Sequence, residues 1–293
     1  MSLHDLSHGQ LVELESQLAE QYSTYLAQGL QLDLTRGKPC SEQLSLSNEL
    51  DGILEGDYTL NGVDLRNYSS TDIFTGLPEA RRLFAEMIDV DADNVLIGGN
   101  ASLTLMHQCM TVIYHYGISG PDSAWRNQGS VKFLCPVPGY DRHFSICQHL
   151  GIEMINIPML KDGPDMDLAE ALVSADPSIK GIWCVPRFSN PTGCVYSDTT
   201  VKRLANLATL ASDNFRVFYD NAYAVHTLED NAPTLLPILP IATELGTEDS
   251  IFIFGSTSKI TFAGAGIAFM AASSKNLIWF KTQLGFMTIG PDK

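Results

Sequence analysis

The chain has 293 residues, 45% of them hydrophobic, with 18 Lys plus Arg against 34 Asp plus Glu and a formal charge of −16. That length allows one large domain or two ordinary ones, with apolar content for a sizeable core. The acidic balance excludes nucleic acid and an anionic membrane as main partners, and no apolar run is long enough to span a bilayer. Six cysteines (Cys40, Cys109, Cys135, Cys147, Cys184, Cys194) form no CxxC pair, and several sit in apolar runs. They read as small hydrophobes in a reducing compartment. The start, Met1-Ser2-Leu3-His4-Asp5, lacks the basic and apolar regions of a secretory signal, so a cytoplasmic protein is expected.

In chain order, residues 9–29 read as an amphipathic helix, with Leu11, Leu14, Leu18, Tyr22 and Leu26 near helical spacing. Leu32 to Pro39 reads as extended. Leu77 to Met87 reads as a helix entered through Pro78. Asn94 to Ile97 is a short strand, and Gly98-Gly99-Asn100 opens into a helix from Ala101 to about Tyr116. From there strands and helices alternate. Strands are expected at 131–136, 153–157, 182–185, 215–219, 251–254 and 266–272. Helices are expected at 140–150, 167–175 and 197–212, the last with Ser197 as N-cap. Such alternation implies a mainly parallel sheet covered on both faces. Ligands of such sheets lie beyond the carboxyl ends of the strands, where Asn100, Tyr140, Asn190, Asp220 and Lys259 all fall. Residues 274–293 read as the start of a long helix.

Those strand ends carry a coherent chemistry. Lys259 follows Gly255-Ser256-Thr257-Ser258, Asp220 ends Phe215-Arg216-Val217-Phe218-Tyr219 and leads to Tyr223, and Asn190 opens Asn190-Pro191-Thr192-Gly193. An amine, an acid and an amide donor suit pyridoxal 5′-phosphate, which takes a lysine Schiff base and an acid for its ring nitrogen. Lys259 then serves as anchor and proton carrier. Asp220 keeps the ring nitrogen protonated, and Tyr223 and Asn190 donate to the ring hydroxyl oxygen. The phosphate needs donors at a helix N-terminus, which Asn100, Ala101 and Ser102 supply, with hydroxyls from Ser256 and Ser258. Tyr140 is placed to stack on the ring. A turn reading competes for Asp220 and for Asn-Pro-Thr-Gly, and a simple helix cap competes for 99–102.

The ordered set Thr35 to Pro39, Arg66 to Tyr68, Gly76 to Arg81 and Ser256 to Lys259 resembles the fold-type I pyridoxal-phosphate aminotransferases, in the aspartate-aminotransferase-like branch. The resemblance covers nearly the whole chain. It implies a three-layer α/β/α fold with a mainly parallel sheet and an incomplete small domain. The implied division is an N-terminal segment at 1–45, a large cofactor-binding domain at 46–273 and the start of an interdomain helix at 274–293. It also implies amino transfer from an amino acid such as aspartate to a 2-oxo acid such as 2-oxoglutarate, by a ping-pong route. A homodimer is implied, with Tyr68 reaching the neighbouring subunit's cofactor phosphate, and Gly37 and Asn190 near the substrate carboxylate.

Three departures stand out. Ala263-Gly264-Ala265-Gly266 holds no arginine where relatives have a phosphate clamp; 68–76 is a few residues longer than usual; and no arginine after Lys259 can hold a substrate α-carboxylate. A truncated chain is the expectation, and a cofactor-binding regulatory product without turnover is its alternative. A serine acyl-enzyme is a further reading, because Ser256-x-x-Lys259 and Ser212-Asp213-Asn214 match penicillin-binding motifs. The motif order, the lack of Lys-Thr-Gly and the lack of an export signal oppose it. Gly264-Ala265-Gly266 is too short for a dinucleotide loop. His107, His115, His143, His149 and His226 show no metal-ligand spacing and read as ordinary surface or core residues, so no metal is expected.

Overall fold

The computed structural model describes residues 3–31, 39–67, 74–262 and 264–290. The backbone divides into two compact units, Met1–Cys40 and Ser41–Lys293. In the first, α1 (His8–Ala27) begins at a capping box in which Ser7 and Gln10 satisfy each other's backbone N–H groups. Its apolar positions follow helical spacing, yet none of its residues is buried.

The second unit carries the short helix α2 (Ser41–Ser45), a hairpin of β1 (Thr59–Leu60) and β2 (Val63–Asp64), and helix α3 (Pro78–Ile88). Then come β3 (Val95–Ile97), α4 (Ser102–Tyr116), β4 (Lys132–Val137), α5 (Asp141–Leu150), β5 (Glu153–Leu160), β6 (Gly163–Pro164) and α6 (Met166–Ala175). They are followed by β7 (Ile179–Cys184), α7 (Asp198–Asn206), β8 (Arg216–Asp220), α8 (Ile238–Leu245), β9 (Ile251–Ser256), β10 (Ala268–Ala272) and α9 (Ser274–Leu284). The main sheet runs in the order β3-β10-β9-β8-β7-β4-β5-β6. Strands β9, β8, β7, β4 and β5 are parallel to their neighbours in that run, while β10 and β6 are antiparallel. The α/β expectation of a mainly parallel sheet holds.

Side-chain alternation along the strands builds two cores. Val217 and Tyr219 of β8 enter the layer that includes α3, α6, α7 and α8. Phe218 enters the opposite layer, with α4, α5 and α9. There its ring packs on Phe252 and Phe254 at centroid distances of 5.7 and 5.8 Å and on Trp183 at 4.8 Å. Because the period is two, Asp220 lies on the Phe218 face, toward α4 and α5. That parity decides which helices reach it.

Some elements differ from the sequence reading. Helix α7 stops at Asn206 and gives way to a 3-10 turn at Leu207–Thr209, rather than running to 212. Ser197 caps it as expected, accepting from the Thr200 N–H. Helix α8 is new; Pro237 and Pro240 flank and interrupt its apolar run, which masks the helical pattern. The expected long helix at 274–293 ends at Leu284, where Gly285 follows and the N–H groups of Phe286 and Met287 turn back on Gln283 and Leu284. Leu277, Phe280 and Leu284 bury against the aromatic layer. No helix among the described residues is long and apolar enough to cross a membrane.

Candidate active site

A cleft of about 200 Å³ opens beyond the carboxyl ends of the central strands. Its walls include Ala101 and Ser102 at the start of α4, Tyr140 before α5, Asn190, Asp220 at the end of β8 with Tyr223 beyond it, and Ser256 at the end of β9 with Ser258 and Lys259 beyond it. Of the residues singled out from sequence, these nine come together. Asn100 adjoins them through its carbonyl, which accepts from Ser258 Oγ at 3.3 Å. Tyr68 and Gly37 lie outside the described residues.

Asp220 forms the floor. It is 4% exposed. Its Oδ2 accepts from His143 Nε2 at 3.0 Å, while Oδ1 is buried without a hydrogen-bond partner. A buried acceptor left unpaired costs about 1–3 kcal/mol, so an Asp at this position is poised for a donor arriving from the cleft. His143 is itself held by a stack on the Trp183 indole, with centroids 4.4 Å apart and planes 8° from parallel, and by the edge of Tyr140 at 5.1 Å. The sequence alone places His143 among ordinary core or surface residues. It is a core residue, but one whose imidazole fixes the orientation of the candidate acid. No local motif signals this, since 77 residues separate the pair; the third position of a helix following Tyr140 at a strand end was the available clue.

Lys259 sits in a turn after β9, in which the Ile260 and Thr261 N–H groups bond the Thr257 carbonyl. Its Nζ stands 5.6 Å over the Tyr223 ring, an attractive placement for a cation. The lysine is exposed at the cleft mouth rather than desolvated. Tyr223 and Tyr140 are half-buried, and burial, reinforced by the Asp220 charge, pushes both phenols above the ordinary tyrosine range. At neutral pH both are therefore neutral O–H donors.

The part of the cleft at the start of α4 suits an anion. Helix α4 is preceded by Ala101, which offers no side-chain cap. Its first N–H groups thus point outward at the positive end of a helix dipole. Ser256 Oγ donates to Ser258 Oγ at 3.0 Å beside them. Among the described residues no arginine lines the cleft. An orphaned carboxylate oxygen, an uncapped helix start with two serines, and an amine lining one cleft fit the ring nitrogen, phosphate and aldehyde of pyridoxal phosphate.

The competing constellations do not assemble. Ser212-Asp213-Asn214 precedes β8, at the far end of the sheet from Ser256, and Ser212 Oγ is engaged by Lys180 Nζ and the Pro177 carbonyl. His107 and His149 face each other across 5.4 Å, and His115 lies between Tyr114 and Tyr116. No group of three metal-ligating side chains gathers among the described residues.

Comparison with known proteins identifies the family. The aspartate amino-transferase family model matches residues 6–293. The aspartate aminotransferase of Corynebacterium glutamicum is 41% identical over 295 residues, covering 100% of this chain and 67% of that protein. A crystal structure of an aspartate transaminase from the same organism superposes with a TM-score of 0.87 at 40% identity, over 100% of this chain and 68% of the other. The α-aminoadipate aminotransferase LysN of Thermus thermophilus, solved with N-(5′-phosphopyridoxyl)-L-leucine, shares the fold at a TM-score of 0.67 and 22% identity, covering 88% of this chain and 60% of that one. Matching over nearly its whole length, the chain belongs to the aspartate aminotransferase family, whose members are in general pyridoxal-phosphate-dependent transaminases acting on amino acids and 2-oxo acids.

Proposed function

We propose that the chain moves an amino group from aspartate or a similar amino acid to a 2-oxo acid, with 2-oxoglutarate as the acceptor, by a ping-pong route. The observation that carries this reading is the cleft that gathers Lys259, Asp220, Tyr223 and Asn190 around one floor. Pyridoxal phosphate, when bound, supplies the electron sink that lets an amino acid lose its α-proton.

The chain's own residues do the rest. Lys259 holds the cofactor covalently and, once released, carries a proton to and from the substrate carbon. Asp220 pairs with the ring nitrogen, with His143 fixing the orientation of its carboxylate. Tyr223 and Asn190 donate to the ring hydroxyl oxygen, and Asn190 also faces the substrate carboxylate. Tyr140 stacks on the ring. The start of α4 at Asn100, Ala101 and Ser102, with Ser256 and Ser258, holds the phosphate. Tyr68, Gly37, the homodimer and the division at 1–45, 46–273 and 274–293 complete the reading on the resemblance, and the cytoplasmic setting on the cysteine usage and the apolar pattern of the chain.

The test is a visible absorption spectrum after adding pyridoxal phosphate to wild type and Lys259→Ala. A band between roughly 360 and 430 nm in wild type only, bleached by aspartate, is expected from lysine-bound cofactor. Identical spectra would remove Lys259 from its role.

A further inference from the structure

We propose that His226 is a positioning residue that fixes Lys259 and Tyr223 relative to each other; this rests on the assignment of Lys259 as the cofactor's anchor. His226 follows Tyr223 by three residues in the loop after β8, and its N–H bonds the Tyr223 carbonyl at 3.2 Å. The imidazole meets the Tyr223 ring edge to face, with centroids 5.5 Å apart and planes at 83°. Its Nε2 lies 3.0 Å from the carbonyl oxygen of Lys259. A carbonyl only accepts, so Nε2 carries the hydrogen and donates. Nδ1 is buried without a partner.

The arrangement is a clamp. Lys259 Nζ stands over one part of the Tyr223 ring while His226 meets that ring edge-on and also grips the lysine's main chain. Lys259 belongs to a turn tied to the end of β9 by bonds to Thr257, and Tyr223 belongs to the loop that ends β8. Among the described residues the side-chain hydrogen bond joining these two loops is the one from His226. Without it the lysine and the tyrosine are positioned by separate segments. Misplacing a reacting group by about 1 Å costs up to about 100-fold in rate.

The experiment compares the pyridoxal-phosphate-loaded wild type with His226→Phe, which keeps a ring against Tyr223 but has no N–H, and His226→Gln, which supplies an N–H at similar reach but no ring. The readouts are the visible circular dichroism per lysine-bound cofactor, which reports its orientation, and kcat and KM separately. The expected result is a dichroism at least about twofold weaker and a kcat about tenfold lower in the Phe variant, with KM within about twofold. The Gln variant restores both. His226→Asn, whose amide falls short of the carbonyl, replaces the Phe variant if that chain does not fold. Wild-type dichroism in the Phe variant, or equal losses in Phe and Gln variants, overturns the clamp while leaving Lys259 as anchor. A wild type with no lysine-dependent band overturns the anchor reading, and the clamp falls with it.

Discussion

Replacing Asp220 by Asn separates a functional carboxylate from a structural one, because the two roles predict different outcomes. In the protein without cofactor, the carboxylate is buried, bonded on one oxygen to His143 and orphaned on the other. The orphan costs about 1–3 kcal/mol. An amide of nearly the same volume carries no charge to desolvate and retains an oxygen for the His143 N–H. The unliganded variant is therefore expected to stay within about 1 kcal/mol of the wild type, because the charge no longer desolvated offsets the weaker neutral bond to His143. Cofactor binding does weaken. A hydrogen bond to a charged group contributes about 1.5–3 kcal/mol, and 1.4 kcal/mol is a tenfold change in affinity. Pyridoxal phosphate should thus bind about 10- to 150-fold more weakly. Urea unfolding of the unliganded proteins and titration of the cofactor's visible absorption measure the two quantities. A variant destabilised by more than about 1 kcal/mol with unchanged cofactor affinity would refute the reasoning and make Asp220 a structural residue.

Two further outcomes test the frame around the site. Gly181→Ala in β7 drives a Cβ into the Phe133 ring and to 2.9 Å from the Arg216 carbonyl. That ring is fenced by Trp125, Trp183 and Phe218, so overpacking should cost about 1–3 kcal/mol or more, read as a lower urea midpoint. The tyrosines set an alkaline limit. Burial raises the folded-state pKa of Tyr140 and Tyr223, and raises Tyr196 and Tyr219 well above the ordinary value. The unfolded phenols ionise first, so their contribution is complete below about pH 10 and is lost as pH rises past it. Stability constant from pH 8 to 11, with 295 nm absorbance showing tyrosines ionising in the folded state at the ordinary pKa, would contradict this.

Much of the frame was legible in the chain because it is written in short-range patterns. Ser197 announces α7 through its own hydroxyl and the Thr200 N–H three residues on. The apolar strands 251–254 and 215–219 stop at residues with chemistry, and parallel strands put their carboxyl ends on one edge. Lys259, Asp220 and Asn190 therefore had to meet once the alternation was read. What sequence alone could not decide depends on distance along the chain. The antiparallel β10 and the strand order are set by pairing, and α8 was hidden by its prolines. His143 reads as one histidine among several until α5 packs on the Phe218 face and carries it to Asp220. The Asp220 orphan oxygen and the His226 bond to the Lys259 carbonyl likewise exist only when separate loops converge. Local spacing determined which residues carry chemistry and at which end of the sheet they lie. Only the packing of helices against one face of that sheet decided which partners hold them, since a partner 33 or 77 residues away leaves no periodic trace.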